Sequence, residues 1–298
     1  MAIPEAQLET WSHQGAGVGS RDTYATIKGA LEAKDAGYAN QQFKVFLQGS
    51  YGNDTNIWSE SDVDVVIRLD SIFHYDIAAV TAQEREAFEA AHQGSVTYGY
   101  DTFKSHVVAA LTKKFGHFVA PGEKAIKIKA NGSRRSADVI VATAFKRYRK
   151  FPPSTSDVDI GMCFFTAKKE RIANYPDQHS LNCTAKHQAT NSRFKPMVRV
   201  LKNMRSRLVT DGLLEAGIAP SYYIEGLLYN VPPEIFGPKY AATFVEAIKW
   251  IRAADRSKFV CANREYYLLG NSAVHWPAAN CDLFLDKVAN LWNKWNLI

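Results

Sequence analysis

Gly49-Ser50 and Asp62-Val63-Asp64 are the residues of this chain whose types and spacing carry chemistry. They stand in the stretch from Phe43 to Arg68, with eleven residues between Ser50 and Asp62. Phe43 to Gln48 alternates as a strand does, and Gly49 ends it. Glycine has no Cβ, so a phosphate can come close to the backbone amides of that turn, with the Ser50 hydroxyl as an added donor. In a second strand over 62–67, Asp62 and Asp64 share one face because side chains alternate. Two carboxylates side by side repel each other unless a cation lies between them. That pairing suits Mg²⁺, held through one or two carboxylates together with substrate phosphates, with Mn²⁺ as the alternative. The pieces describe a site for a nucleoside triphosphate, with Gln48, Gly49 and Ser50 on the nucleotide and Asp62 and Asp64 on its metal.

The chain contains a control for this reading. Ser156-Asp157-Val158-Asp159 repeats the acidic pattern without a Gly-Ser strand end before it. After Pro152-Pro153 and before the apolar run Gly161-Met-Cys-Phe-Phe165, Asp157 and Asp159 read as a polar strand entry.

The surrounding elements follow from periodicity and breaks. Helices are expected over 21–36, 81–92 and 101–115, a loop over 94–99, and strands over 117–130 and 133–145. From about 190 the pattern turns helical, over 196–209, 221–230, 239–254 and 282–296. From Pro196, a favourable first helical residue, Met197, Leu201, Met204 and Leu208 form one apolar stripe at ~100° per residue. Lys195, Arg199 and Lys202 lie on the opposite side, and Arg205 and Arg207 read as ordinary solvated charges. Ser221 is a favoured helix N-cap, at the kind of terminus that attracts anions.

The 298 residues, 46% hydrophobic, suffice for a sizeable core. A net charge of +6 suits nucleotide substrates and does not by itself argue for nucleic-acid binding. Four cysteines without framework spacing point to a reducing, cytoplasmic setting. No signal-peptide pattern opens the chain, and no window approaches a membrane span.

Gly-Ser, a spacer of this length and Asp-x-Asp resemble the signature of the polymerase-β-type nucleotidyltransferase superfamily. There a third Asp on a neighbouring strand completes the metal site, which the resemblance places at Asp138 in Ser133-Arg-Arg-Ser-Ala-Asp-Val-Ile-Val. Three later segments narrow the match: 172–179, 189–202 and 218–228. They resemble the bacterial cGAS/DncV-like nucleotidyltransferases (CD-NTases) of antiphage signalling systems. The resemblance implies an α+β fold, with a polymerase-β-like mixed-sheet lobe packed against a C-terminal helical lobe and a nucleotide cleft between them. The boundary is expected at 190/191, with the N-terminal helix spanning the catalytic lobe. It further implies Lys202 and Ser221 on the triphosphate and Tyr222 stacked on a base. The implied activity is closure of nucleoside triphosphates, ATP and GTP favoured, into a cyclic di- or trinucleotide second messenger with release of pyrophosphate. Regulatory and effector proteins of a defence operon are the implied partners, with no membrane and no obligatory nucleic acid.

Alternatives stay open beside this. A linear-product enzyme, or one that modifies RNA or protein, would share the same three carboxylates. A pseudo-enzyme that only binds nucleotide is a further class. His179, Cys183 and His187 are spaced four apart like ligands on one helix face, yet without a Cys-x-x-Cys pair zinc is disfavoured. The basic run 146–150 with Arg134 and Arg135 reads as the rim of an anionic-ligand pocket. Segment 174–191 is expected to shape the base pocket. The tail Trp295–Ile298 is either a docking point or the end of a helix.

Overall fold

A computed structural model describes residues 2–15, 18–58 and 62–295. Most of the tail (296–298) and part of the spacer before Asp62 (59–61) lie outside the described residues. In chain order the elements are α1 (Glu5–Ser12), α2 (Val18–Leu31), β1 (Phe43–Leu47), α3 (Gly49–Gly52), β2 (Val63–Asp76), α4 (Ala82–Ala91) and α5 (Tyr100–Phe115). They continue with β3 (Val119–Pro121), β4 (Ile126–Ile128), β5 (Ala137–Tyr148), β6 (Val158–Phe165), β7 (Arg171–Asn174) and α6 (Pro176–Ala189). The remainder is helical: α7 (Phe194–Thr210), α8 (Ser221–Asn230), α9 (Tyr240–Ala253) and α10 (Ala278–Asn293). The fold is α+β, as expected.

Contacts divide the chain into two units. A sheet unit takes the described residues of Val18–Gln48 and Asp62–Pro176. Its strands run in the order β1-β2-β5-β4-β3, with β6 paired to β5 and β7 to β6. β2 and β5 are parallel and the other pairs antiparallel, so the sheet is mixed. Val63, Val65, Ile67 and Leu69 point to one face of β2 and are fully buried. That leaves Asp64 on the other face, in line with Val66. α2 packs on β1, β2 and α5.

A helical unit takes the described residues of Met1–Gly17, Gly49–Ser61 and Asp177–Ile298. The predicted stripe Met197, Leu201, Met204 and Leu208 is buried in one core with Ile224 and Leu228 of α8, Ile251 of α9 and Phe284 of α10. Each such side chain contributes roughly 1.5–3 kcal/mol when fully buried. The Glu5 carboxylate accepts from the Tyr240 and Ala241 amides at 2.7 and 2.9 Å, an anion set against the N-terminus of α9.

The units are discontinuous in sequence, whereas the sequence pattern suggests one boundary at 190/191. α1, the 49–58 segment and α6 join the residues after 190. Neither α1 nor α6 is among the helices expected from periodicity. α6 carries few apolar residues and so lacks a stripe, and two of its buried residues are His179 and Cys183. The 117–130 strand divides into β3 and β4, and β2 runs to Asp76 through a register shift between Leu69 and Phe73.

Candidate active site

Parallel pairing of β2 with β5 sets Asp64 directly opposite Asp138. The frame is pinned at the strand entry, where the Val63 amide donates to Ser136 O at 3.1 Å. Asp62 comes one residue before β2 and is exposed; its Oδ1 accepts a hydrogen bond from the Ser136 hydroxyl. Three carboxylates therefore gather at one end of two adjacent strands. Beyond them, on the same face, lies the apolar cluster of Val66, Ala142, Met162 and Phe164. Burial pushes the Asp138 carboxyl above its ordinary value; Lys127, opposite it on β4, works against that push and the Asp62 charge adds to it. All three candidate ligands are carboxylate oxygens that repel one another, a donor set that fits a hard divalent cation.

The Gly49-Ser50 turn is a short helix, α3, rather than an open loop. Gly49 has φ +67°, the left-handed region that favours glycine. Gln48, the last residue before it, donates its amide to Asp64 O at 2.9 Å, and its side-chain Oε1 is buried without a hydrogen-bond partner. The turn is closed by the Asn53 amide on Gly49 O at 3.1 Å and the Thr55 amide on Ser50 O at 2.9 Å.

The basic side of α7 faces this segment. Lys195 Nζ pairs with Asp54 Oδ2 at 3.2 Å, and Arg199 donates to Asp54 O at 2.5 Å and to Ser12 O at 2.5 Å. Lys202 is 0% exposed, and its ammonium donates to Thr55 O at 2.8 Å. Beside it is a residue that sequence reasoning missed, Glu225. Thr55 donates its hydroxyl to this carboxylate, Asn53 Nδ2 reaches it at 3.4 Å and His179 Nε2 at 2.6 Å. Burial pushes the Glu225 carboxyl up, but the His179 hydrogen bond, the His179 and Lys202 charges and the Thr55 hydroxyl outweigh it and hold it below its ordinary value. An acidic residue inside the apolar run 223–229 was the available signal.

Ser221 is the first residue of α8, not its N-cap. Pro220 takes the cap position and has no side-chain capping bond. Ser221 Oγ instead accepts from Arg205 at 3.2 Å, and Arg205 also donates to Ala219 O at 2.8 Å. Arg205 is therefore not a plain solvated charge: it holds the chain entering α8. Tyr222 stacks on His179 with centroids 5.0 Å apart, while Tyr223 stacks on Trp276 at 5.8 Å.

Other signals resolve locally. Asp157 accepts from the Ser154 amide and hydroxyl, and Asp159 pairs with Arg149. The basic run is spent largely on its own unit. Lys146 lies over Phe73 at 4.2 Å, Arg147 meets Asp76 at 3.6 Å, and Arg134 covers the Phe115 ring at 4.6 Å. From segment 174–191, Asn182 and Lys186 line a cavity of about 350 Å³ with Tyr229 and Arg264. His179, Cys183 and Glu225 bring ligand atoms within 4.8 Å of one another, with Glu225 in the place expected of His187. Both Glu225 oxygens are already hydrogen-bonded, and burial drives the Cys183 thiol well above its ordinary pKa. This donor set does not fit zinc, which needs deprotonated, available ligands.

Among known proteins, the model of the cGAS/DncV-like nucleotidyltransferase C-terminal helical domain matches residues 181–293. A cyclic UMP-AMP synthase of Rhodothermus marinus (strain SG0.5JP17-172) is 38% identical over 99% of both chains. The solved structure of the Rhodothermus marinus CdnE c-UMP-AMP synthase with Apcpp and Upnpp superposes with a TM-score of 0.88 at 37% identity, covering 98% of this chain and 97% of that one. The Elizabethkingia meningoseptica CdnE cyclic dinucleotide synthase with GTP and Apcpp gives a TM-score of 0.76 at 29% identity, covering 98% and 99%.

Proposed function

The chain belongs to the cGAS/DncV-like nucleotidyltransferases, and from that premise we propose that it joins nucleoside triphosphates into a cyclic di- or trinucleotide messenger, releasing pyrophosphate. The observation that carries the proposal is the parallel register of β2 and β5, which sets Asp64 opposite Asp138 with Asp62 alongside. Asp62, Asp64 and Asp138 would hold Mg²⁺ or Mn²⁺. When bound, the cations neutralise charge developing on the transferring phosphoryl group and the leaving pyrophosphate. Asp138, the third carboxylate, would bind the metal at an acceptor 2′- or 3′-hydroxyl or take that hydroxyl's proton. The hydroxyl oxygen then bonds to the α-phosphorus as the bond to the β-phosphate bridging oxygen breaks. A second transfer within the linear product closes the ring.

Phosphate binding is assigned to the Gly49 and Ser50 amides and the Ser50 and Ser221 hydroxyls, with Gln48 beside the turn. Lys202 supports them through the Thr55 carbonyl rather than by touching phosphate. Tyr222 offers the base a stacking face. The similar structures carry Apcpp together with either Upnpp or GTP, which supports ATP as one substrate. The purine pairing with GTP expected from the sequence is one of the outcomes for the second. The four cysteines are buried thiols, in keeping with a cytoplasmic enzyme, and no helix among the described residues is long and apolar enough to cross a membrane. Service in antiphage signalling, with effector proteins downstream, completes the proposal.

The test is incubation of the pure protein with ATP, GTP, CTP and UTP and Mg²⁺ or Mn²⁺, then phosphatase treatment and mass spectrometry. A phosphatase-resistant ring, absent from an Asp62→Ala/Asp64→Ala variant, is the expected result. A product that phosphatase degrades would move the enzyme to linear synthesis, and label transferred to RNA or protein would overturn the proposal.

A further inference from the structure

We infer that Glu225 is a positioning residue that ties the phosphate turn to the base-stacking tyrosine, an inference that rests on the nucleotidyl-transfer reading. Glu225 lies within α8 between buried residues, Ile224 on one side and Gly226, Leu227 and Leu228 on the other, and is itself 3% exposed. A carboxylate in such a place needs its lone pairs filled and its charge matched. Its partners come from three separate segments, and two of them lead directly to groups that would hold the nucleotide.

One arm reaches the phosphate turn. Asn53 and Thr55 contact the carboxylate through their side chains, and their amides close the turn on Gly49 O and Ser50 O at 3.1 and 2.9 Å. Lys202 grips the same short segment at Thr55 O, 2.8 Å away. The carboxylate therefore fixes the end of the turn whose beginning offers amides to phosphate. The other arm reaches the base. His179 Nε2 meets Glu225 Oε2 at 2.6 Å, and the opposite ring nitrogen, Nδ1, is buried without a hydrogen-bond partner. The bond to Glu225 is thus what sets the plane of the imidazole. Tyr222 stacks on that plane at 22° and is held at its hydroxyl by Asn263 at 2.9 Å.

Glu225 acts through these groups and has no part in the chemical step. Its loss raises KM and leaves kcat nearly unchanged. Calorimetric binding of Mg²⁺ with a non-hydrolysable ATP analogue, and separately of Mg²⁺ with tripolyphosphate, reads the two arms apart. Glu225→Gln weakens both ligands by about tenfold, the scale of one hydrogen bond to a charged group. Thr55→Val, which keeps shape and loses the donor, weakens both, and Thr55→Ser restores them. His179→Asn weakens the analogue alone. A residue that only stabilised the fold would move the unfolding temperature without this split. Equal affinities in wild type, Glu225→Gln and Thr55→Val overturn the inference while leaving nucleotidyl transfer in place. If Glu225→Gln does not fold, the Thr55→Val and Thr55→Ser pair decides the matter by the same criterion. A wild-type protein that binds neither ligand removes the nucleotidyl-transfer reading, and the inference with it.

Discussion

Replacing Lys202 by Met separates two roles that one lysine can have. The Lys202 ammonium is 0% exposed, donates to Thr55 O at 2.8 Å, and its charge acts on the buried Glu225 carboxylate. Met fills the same volume without the charge or the donor. The change therefore removes a charge that acts on a carboxylate only 3% exposed and takes the ammonium from the Thr55 carbonyl. Losing a hydrogen bond made by a charged group costs about 1.5–3 kcal/mol. For a unit of about 150 residues this corresponds to a fall of roughly 3–12 °C in the unfolding temperature. Differential scanning calorimetry without nucleotide reads it. A cycle with Glu225→Gln adds a second criterion, because residues joined in one network, here through Thr55, show coupling of about 0.5–3 kcal/mol. A Lys202→Met protein with unchanged unfolding temperature and weakened triphosphate binding would refute the reasoning and restore the direct phosphate role implied by family resemblance. Additive losses in the cycle would refute the coupling.

Chelation with EDTA is expected to abolish product formation, and added Mg²⁺ to restore it, followed by pyrophosphate release. The Glu225 carboxyl is held below the ordinary value of 4.5 in the folded protein. Its stabilising contribution is thus complete above about pH 4.5 and is lost as pH falls through the lower folded value. Urea midpoints of wild type and Glu225→Gln should accordingly differ most near neutrality and converge on acidification; a constant gap would contradict this. Gly161→Ala in β6 would place a Cβ 2.6 Å from Asn174 O on the paired strand and 2.8 Å from the Tyr175 ring. Urea unfolding should show a loss of about 1–3 kcal/mol.

The legible parts of the site were those written locally. Asp62, Asp64 and the apolar residues between and after them declare a strand with two like charges on one face, and β2 follows that pattern from Val63, with Asp64 inside it and Asp62 one residue before it. Met197, Leu201, Met204 and Leu208 declare the buried side of α7 in the same way. Asp138 needed family resemblance, because only the parallel register, a non-local fact, shows that it faces Asp64. The polar side of α7 was hardest to read. Lys195, Arg199 and Lys202 carry the pattern of a solvated or ligand-facing surface, yet they bind the chain's own carbonyls at 54 and 55 and the Asp54 carboxylate. Periodicity reports which side is apolar and says nothing of what a charged side will meet. Glu225 escaped for the related reason that its partners lie 46 and 170 residues away at His179 and Thr55.

The most direct test of the metal site is anomalous diffraction from crystals of the wild-type protein soaked with Mn²⁺ and a non-hydrolysable ATP analogue. A manganese peak bounded by the Asp62, Asp64 and Asp138 carboxylates is predicted, with the analogue's phosphates on the Gly49-Ser50 turn. A peak among His179, Cys183 and Glu225 instead, or an ordered analogue with no metal at the three aspartates, would contradict nucleotidyl transfer at this site.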